Sequence, residues 1–502
     1  MTQKLRYSIV FFFSVFIASA QSLTGRVTDS RTGESLPFAN IIINESEYLI
    51  SNEEGYFSIP EKYNDDAKVY VSCMGYIGRS LKLSQLRNQT TVRLEPGTYE
   101  LKVVDVDNKP KDPYQIMAQV KKNLPQNYKT EQRSKNLQFM RKSQTIRPKV
   151  FDFEIEKSTG FTKRNLQDAN KQFEKFAKEL IKHPPRTYTD MLFNLYAGND
   201  GAQSQSKLEM IKATRLTDEE RVSSMEDIEE KAGKLLLKHI DTTKFYRFKS
   251  GWFGSRDTVS LNKEYNDKKK SKGSEKKDSQ LTSAKTGLAN FFWENNFKNK
   301  GFEFIHKSDI YEYKYEGATY MNNEDFVYII SFKPKKSRAK FKGKLYISES
   351  DFAILRADYA LEEGKKLEGL NLRLILGLKF AQNHAKGTLI FRKKKSADDY
   401  YLQYASVEEG VYFYVHRPLK FIELTEKKDK DVVALDLKIE ANSITKTEFL
   451  NISREDISAA QYADAREKEF QYLMLKRYDP EIWKEYSAIE PLTEMKSYQV
   501  GM

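Results

Sequence analysis

The sequence from residue 23 to residue 43 decides the fold of the N-terminal part of the chain. It reads L-T-G-R-V-T at 23–28, D-S-R-T-G-E-S-L-P at 29–37 and F-A-N-I-I-I at 38–43. Apolar side chains in the first and third parts recur with a period of two, which predicts β-strands. The middle part is rich in turn-forming residues, and Gly33 suits a positive φ. Two strands joined by a surface turn are therefore predicted.

The same pattern continues to Leu94. A second turn, N-E-E-G, places Gly55 at a left-handed position before the strand that begins at Tyr56. Further alternating runs surround Val71 and end at Leu94. Seven short strands in about seventy residues predict a β-sandwich.

Three separated segments carry a family resemblance. They are G-R-V-T-D-S-R-T-G-E-S-L-P-F-A-N-I from Gly25, S-N-E-E-G-Y-F-S-I from Ser51 and V-Y-V-S-C-M-G-Y from Val69. Together they resemble the carboxypeptidase regulatory-like domain, a prealbumin-like β-sandwich. The resemblance implies a noncatalytic appendage, of a kind often found at the N-terminus of bacterial outer-membrane and secreted proteins.

The first twenty residues have the form of an export signal. Lys4 and Arg6 precede the apolar run 9–18, and A-S-A ends at Ala20, which predicts cleavage before Gln21. The apolar run is shorter than the roughly twenty residues of a membrane-spanning helix. We therefore expect an exported protein, periplasmic, associated with the outer membrane or secreted, with no transmembrane segment in the mature chain.

Composition bears on partners and on redox chemistry. Cys73 is the single cysteine, which excludes an intrachain disulfide, and its strand position predicts a small buried hydrophobe rather than a nucleophile. The net charge of +13 is spread along the chain. The many tyrosines alternate along predicted strands, where β-propensity explains them. An anionic envelope surface is therefore a better-motivated partner than nucleic acid, which we do not expect.

The chain of 502 residues is predicted to be a mainly β, multi-domain protein. A seven-stranded sandwich precedes an α+β domain with a large antiparallel meander sheet and several helices. The predicted segments are a signal peptide at 1–20, the sandwich at 21–97, a linker at 98–112 and the α+β domain at 113–502.

Helices and strands alternate in the first half of the α+β domain. The first predicted helix begins at Pro113 and is stopped by Pro125 and Asn127, and the second follows the apolar stripe from Leu166 to Leu180. A third begins at Thr217, where Glu220 completes a capping box, and continues through Met225 to His239. Strands are predicted at 137–142 and 150–156.

The second half is predicted to be mainly sheet. A lysine-rich segment, 263–286, reads as a disordered loop. From 302 to 452 the period is two, with lysines such as Lys342 and Lys344 on the face opposite the apolar side chains. One face of this antiparallel sheet is therefore expected to be wet, and a C-terminal helix is predicted at 453–477.

Phrases in this sheet carry a second resemblance. Y-E-Y-K-Y-E-G-A from Tyr311, V-Y-I-I-S-F-K-P from Val327 and F-K-G-K-L-Y-I-S-E-S-D-F-A-I from Phe341 are similar to strands of the lipoprotein-carrier type of unclosed β-barrel. The resemblance implies that one apolar sheet face holds a lipid. The side chains that would supply this face are Phe326, Tyr328, Ile330, Phe332, Phe341, Leu345, Ile347, Phe352 and Ile354. The alternative is that the helices at Leu166 and Thr217 cover this face as core.

Local catalytic motifs are absent from the sequence. It contains no H-E-x-x-H, no G-x-S-x-G, no phosphate-binding loop and no G-x-G-x-x-G. Asp105, Asp107 and Asp112 lack the spacing of a calcium loop. We therefore predict no catalytic residue, no cofactor and no metal ligand.

Two functions from different classes follow. The first is an exported, noncatalytic envelope protein that binds an apolar ligand, or docks a lipid or envelope-protein partner, through its α+β domain. In this hypothesis the sandwich is an accessory module. The alternative is an exported hydrolase, whose site would form where His306, His384 or His416 meets acidic residues in one cleft.

Overall fold

The computed structural model describes most of the chain. The described segments are 22–97, 112–129, 133–159, 162–200, 203–217, 225–237, 241, 243–250, 253–260, 279–321 and 325–498. The cleavage residues Ala20 and Gln21 and the carboxylates Asp105 and Asp107 lie outside them. Asp112 is described, and its carboxylate caps the following helix by accepting from the N–H of Tyr114.

The N-terminal strands form the predicted sandwich. They are β1 (Leu23–Asp29), β2 (Asn40–Ile43), β3 (Glu47–Ile50), β4 (Tyr56–Ile59), β5 (Lys68–Ser72), β6 (Arg79–Lys82) and β7 (Thr91–Leu94), with a short helix α1 (Leu83–Asn88). One sheet has the order β4-β1-β7 and the other β3-β2-β5-β6. Gly33 and Gly55 have positive φ, as predicted. Cys73 follows β5 rather than lying in it as predicted, and it is partly buried against the sandwich core, where burial raises the pKa of its thiol.

A third, larger sheet of fourteen strands forms most of the rest of the protein. Its strands are β8 (Ser134–Ser158), β9 (Arg186–Asp200), β10 (Gln203–Thr217), β11 (Phe245–Ser250), β12 (Phe253–Ser260), β13 (Tyr311–Met321), β14 (Asp325–Pro334), β15 (Phe341–Ser348), β16 (Ile354–Leu361), β17 (Gly369–Leu372), β18 (Leu378–Lys393), β19 (Tyr400–Glu423), β20 (Val432–Asp456) and β21 (Leu473–Leu475). The main order is β13-β14-β15-β16-β18-β19-β20-β8-β9-β10-β21. The fold is therefore mainly β, as predicted.

Several predicted boundaries are wrong. The two strands predicted at 137–142 and 150–156 are one strand, β8. The helix predicted from Thr217 is present, but it spans Met225–Leu237. Its predicted start is wrong, because Thr217 is the last residue of β10 and pairs with Thr187 of β9. The helix predicted at 453–477 is shorter and spans only Ala459–Asp464, because β20 continues to Asp456 and a three-residue strand begins at Leu473.

The described helices beyond the sandwich are mostly short. They are α2 (Pro113–Asn127), α3 (Lys163–Lys182), α4 (Met225–Leu237), α5 (Gln280–Glu294), α6 (Glu303–His306), α7 (Arg373–Leu376), α8 (Ala459–Asp464) and α9 (Thr493–Lys496). Helix α2 ends at Asn127, one of the two predicted stop residues, and includes Pro125. The N-terminal half of α5 occupies 280–286, so that part of the predicted disordered loop is helical. None of the helices among the described residues is long and apolar enough to cross a membrane.

The nine side chains of the predicted ligand face do lie together, but in the protein core. Seven of them are buried, and Phe326 and Phe352 are partly buried against the same cluster. Side chains of α2 and α5 and of the segment 297–310 pack in this cluster, and Phe304 stacks on Phe332 at 4.3 Å between ring centroids. The helices predicted to cover this face were those at Leu166 and Thr217. That assignment is wrong, because α3 packs on β8 instead.

The other face of the sheet carries the sandwich and a C-terminal strap, residues 478–496. The strap lies between the sandwich and the fourteen-stranded sheet, which we call the large sheet. Trp483 packs edge-on against Phe139 of β8 at 5.5 Å between ring centroids, and Asn52 of the sandwich donates to the carbonyl of Glu490. The strap therefore binds the sandwich and the large sheet at the same time.

A buried ion pair anchors the strap to the sheet. Arg141 of β8 and Asp190 of β9 are 4% and 1% exposed, and their side chains form two parallel bonds of 2.8 and 2.7 Å. Arg141 also donates to the carbonyl of Ile489 in the strap at 3.1 Å. Each charge of the pair is neutralised by the other across two well-aligned hydrogen bonds. Removal of one partner would therefore leave the other charge buried and uncompensated.

We therefore predict that Asp190→Ala lowers the free energy of unfolding by about 3–5 kcal/mol. Urea denaturation followed by tryptophan fluorescence measures this change. Asp152→Ala, at an exposed position of β8, is the control and is expected to change it by less than about 0.5 kcal/mol. Equal stability of Asp190→Ala and the wild type would contradict a structural role for the pair.

Candidate functional site

The candidate site is a cleft of about 830 Å³ where the sandwich meets the large sheet. Strands β13 to β16, β18 and β19 provide its floor, and Pro37, Phe38 and Glu53 of the sandwich provide its wall. A volume of several hundred Å³ at a domain junction is typical of a ligand site. We call this space the interdomain cleft.

The floor of the interdomain cleft belongs to a polar row that crosses the sheet. Residues directly opposite each other on paired strands share a face. The pairing register therefore places the following side chains in one line: Lys314, Ser331, Lys344, Asp358, Thr388, Ser406, Glu448, Arg141 and Asp190. The first six line the cleft, and the last two form the buried ion pair.

A row that is apolar except for Arg356 runs parallel to the polar one, two residues along each strand, and we call it the apolar row. It contains Tyr346, Arg356, Ile390, Tyr404, Leu450, Phe139 and Leu192. Ile50 of the sandwich and Trp483 of the strap belong to the same buried cluster as most of these side chains. The sandwich therefore covers the apolar row and leaves the neighbouring polar row open to the cleft.

Five lysines line the cleft, and four of them are paired with carboxylates. Lys314 pairs with Glu316 at 3.1 Å and Lys333 with Glu312 at 3.3 Å. The other two pairs are Lys342 with Glu362 and Lys386 with Glu408, at 3.4 and 2.9 Å.

Lys344 is the fifth lysine and lies at the centre of the floor. It is exposed and forms no ion pair within the described residues. Hydrogen bonds from Lys314 and Ser331 lower the pKa of Glu316, and the charge of Lys344 adds to this effect. Lys344 is therefore the cation best able to meet an incoming anionic group.

Phe38 forms the edge of the wall in an unusual backbone conformation. Its φ is +59°, a left-handed value that bulky residues rarely adopt and that costs on the order of 1–3 kcal/mol. Ser51, fully buried, holds the segment by donating to the carbonyl of Leu36 and accepting from the N–H of Ala39. The strained turn directs the Phe38 ring toward the sheet, where it packs against Tyr404 at 5.3 Å between centroids.

Charged contacts fix the wall over the floor. The Arg356 guanidinium lies 5.8 Å from the centre of the Phe38 ring, and Asp358 accepts a hydrogen bond from Arg356 at 2.9 Å. Lys446 of β20 bridges Glu53 of the sandwich at 3.1 Å and Glu448 of the polar row at 3.4 Å. The position of the sandwich is therefore coupled to residues on or beside the floor.

Two smaller cavities lie elsewhere. One, of about 520 Å³, separates α5 from the sheet; burial, and then the charge of Glu294, raise the pKa of its Glu409. The other, of about 420 Å³, lies beside Tyr48 and contains Arg392 and Arg454. None of the nine predicted face residues lines either of these two cavities.

The predicted site residues are placed as follows. The nine apolar side chains are packed together in the core, and of these Phe332 also borders the interdomain cleft. Their role as a ligand face stays a prediction. The sequence reasoning placed Lys342 and Lys344 on a wet face but did not identify the cleft. The alternation of lysines along the strands was the available signal for the cleft floor. Nothing in the local sequence indicated that Phe38 would pack above these lysines.

The histidines of the hydrolase alternative do not converge. His384 contacts Glu408 and His416 contacts Asp436, each at 3.1 Å. His384 is opposite Gly410, six residues before His416 on β19, which is roughly 20 Å along a strand. His306 instead contacts the carbonyl of Phe297 beside α6. These three residues therefore do not form the shared cleft that the alternative requires.

Comparisons with known proteins identify two regions. Residues 23–106 match the CarboxypepD_reg-like domain, which confirms the resemblance seen in the N-terminal sequence. Residues 262–415 match a family of unknown function, DUF5686. No curated protein matches the chain.

One solved structure is also similar. It is a crystal structure of a DUF1329 family protein from Desulfovibrio piger, 10% identical to this chain. The match covers 70% of this chain and 98% of that chain, with a TM-score of 0.18. At this TM-score the similarity carries no argument about fold or function.

Glu47 joins the sandwich to the strap, so docking of the sandwich is expected to be sensitive to acid. Glu47 accepts hydrogen bonds from Lys62 at 2.6 Å and from Ser487 of the strap at 3.0 Å. Burial alone would raise the pKa of Glu47, but these bonds outweigh it and lower the pKa below its ordinary value of 4.5. Its stabilising contribution is therefore present above the unfolded pKa and is lost as pH falls through the folded one.

We predict that Glu47→Gln is less stable than the wild type at pH 7 and loses less stability than the wild type on acidification to pH 3. Urea midpoints at both pH values measure this difference. Glu45→Gln, at an exposed position nearby, serves as the matched control for loss of a negative charge. If the urea midpoints of Glu47→Gln and the wild type fall equally between pH 7 and pH 3, protonation of Glu47 does not contribute to the loss of stability in acid.

Proposed function

We propose that this protein is an exported, noncatalytic cell-envelope protein that binds a ligand in the interdomain cleft. The observation that carries the proposal is the composite nature of the cleft, because the sandwich supplies the wall and the large sheet supplies the floor. The sandwich is then an accessory module in a specific sense. It adds no chemistry, but it closes one side of the binding site.

The lining indicates the chemical class of the ligand. Lys344 offers a positive charge with no ion pair among the described residues, and the paired lysines around it present long apolar stems. Pro37, Phe38 and Ala360 add apolar surface beside these stems. A ligand with one anionic group and an apolar part would satisfy both features, because the charge meets Lys344 and the apolar part covers the stems and the Phe38 ring.

A noncatalytic role is supported by two features. The sequence contains none of the local catalytic motifs, and His306, His384 and His416 contact separate partners. Export is supported by the N-terminal pattern of two basic residues, an apolar run and A-S-A. The regulatory-like domain is compatible with a noncatalytic role and with export, since in this proposal it only forms one wall of the binding site.

The proposal predicts that Lys344→Ala weakens binding of an anionic amphiphile by roughly ten- to hundredfold, the usual effect of losing one charged hydrogen bond. The probe is a short-chain lysophosphatidylglycerol below its micelle concentration, titrated calorimetrically into the full mature protein. Neutral lysophosphatidylcholine is expected to bind more weakly than the anionic probe.

Lys175→Ala is the matched control, because this lysine is exposed on α3 away from the cleft. It is expected to bind the probe as the wild type does. Equal affinity of Lys344→Ala and the wild type, or absence of any binding by the wild type, would contradict the proposed site.

A further inference from the structure

A second surface of the protein has a composition unlike the cleft. Residues 369–380, G-L-N-L-R-L-I-L-G-L-K-F, comprise β17, α7 and the start of β18. Seven of these twelve residues are large and apolar, two are basic and none is acidic. We call this segment the aliphatic tip.

The apolar side chains of the aliphatic tip face solvent. Leu374 is 100% exposed and Ile375 is 80% exposed, while Leu370 and Phe380 are 55% and 42% exposed. Leu370 is paired with Phe380 across the two strands, so these side chains share a face. Water-exposed clusters of this kind mark interaction sites, because a folded protein otherwise buries its large aliphatic side chains.

The tip has a defined shape. Gly377 ends α7 with a φ of +64° and donates to the carbonyl of Arg373, and a Cβ added there would lie 2.0 Å from the carbonyl oxygen of His416. Arg417 of β19 donates to the carbonyl of Leu376 at 2.7 Å and to Ser250 of β11 at 3.0 Å. Hydrogen bonds to two neighbouring strands therefore hold the exposed side chains in position.

Cations and tyrosines surround the base of the tip. The Arg373 guanidinium lies 4.2 Å from the centre of the Tyr414 ring, and Lys379 lies 5.1 Å from that of Tyr412. An aliphatic apex above a belt of basic and tyrosine side chains matches the layering of a lipid surface, where acyl chains lie beneath anionic and polar headgroups.

We propose that the aliphatic tip inserts into the surface of a lipid bilayer that contains anionic lipids. Leu374 and Ile375 enter the acyl boundary, and Arg373 and Lys379 stay at the level of the headgroups. The positive charges and the absence of acids within the tip favour an anionic bilayer over a second copy of this chain, whose own tip carries the same charge.

The tip and the interdomain cleft are separate sites. Lys379 at the base of the tip and Lys386 in the cleft are seven residues apart on β18, or about 24 Å along the strand. Vesicle binding therefore tests the tip without depending on a ligand in the cleft, and Lys344→Ala is expected to leave it unchanged.

The experiment is flotation of the full mature protein with vesicles of phosphatidylethanolamine and phosphatidylglycerol. The double variant Leu374→Ser/Ile375→Ser is expected to bind at least about tenfold more weakly than the wild type. The double variant Ile77→Ser/Ile181→Ser removes two other exposed aliphatic side chains and is the matched control, expected to bind as the wild type does. Both changes lie at exposed positions, and circular dichroism verifies that each variant is folded.

A second measurement separates insertion from adsorption. In Leu374→Trp, vesicles whose acyl chains carry bromine are expected to quench the added tryptophan beyond the quenching seen in the wild type. Vesicle binding that survives Leu374→Ser/Ile375→Ser, or absence of added quenching, would overturn the proposal. Self-association that this double variant abolishes, without vesicle binding by the wild type, would also overturn it and assign the tip to a second copy of the chain.

Discussion

The pairing of β8 with β20 is the constraint on which the rest of the structure depends. The ladder runs from Ser158 opposite Val433 to Ser134 opposite Asp456, so it joins parts of the chain nearly three hundred residues apart. It fuses the meander β13–β19 with β9 and β10 into one sheet. Three register shifts along the ladder change which residues oppose each other and so set the direction of the side chains on both faces.

The two faces of this fused sheet are packed against different elements. The helices α2 and α5 lie over the apolar face, while the sandwich and the strap cover an apolar row on the other face. The polar row beside it crosses from β20 to β8, and its side chains are buried on one side of this pair of strands and border the cleft on the other. On one side it ends in the buried pair of Arg141 and Asp190, and on the other it opens as the floor of the cleft. Stability and the proposed binding site thus share one line of side chains.

Strands with one solvent-facing side were predicted well from the alternation of apolar and polar residues. The sandwich and the strands after Tyr311 alternate because one face meets solvent or a neighbouring layer of different polarity. Strand β9 was missed because Met191, Leu192 and Phe193 are all buried, which removes the alternation. Thr217 has a helix-capping signature, but its pairing with distant Thr187 overrides that local preference.

The candidate site was less predictable than the fold. The period of two placed eight of the nine apolar side chains on strands, whereas Phe352 lies in the turn between β15 and β16. All nine belong to one core cluster, but periodicity does not identify the layer that covers a sheet face. The cleft requires Phe38 to stand over lysines about three hundred residues away, in a left-handed conformation that sequence rules disfavour for an aromatic residue. Its geometry therefore follows from docking of the sandwich, which no local pattern encodes.

The C-terminal strap also has a consequence for the order in which the molecule assembles. Asn52 and Glu490 are bonded although 438 residues separate them, so this contact closes a loop almost as long as the chain. During synthesis the sandwich can fold as soon as its own strands have emerged, because their pairing is local. Its direct contacts with the sheet, such as Phe38 with Tyr404 and Glu53 with Lys446, need no residue of the strap. The strap is therefore the last element to join the interface, after both of the layers that enclose the cleft already exist.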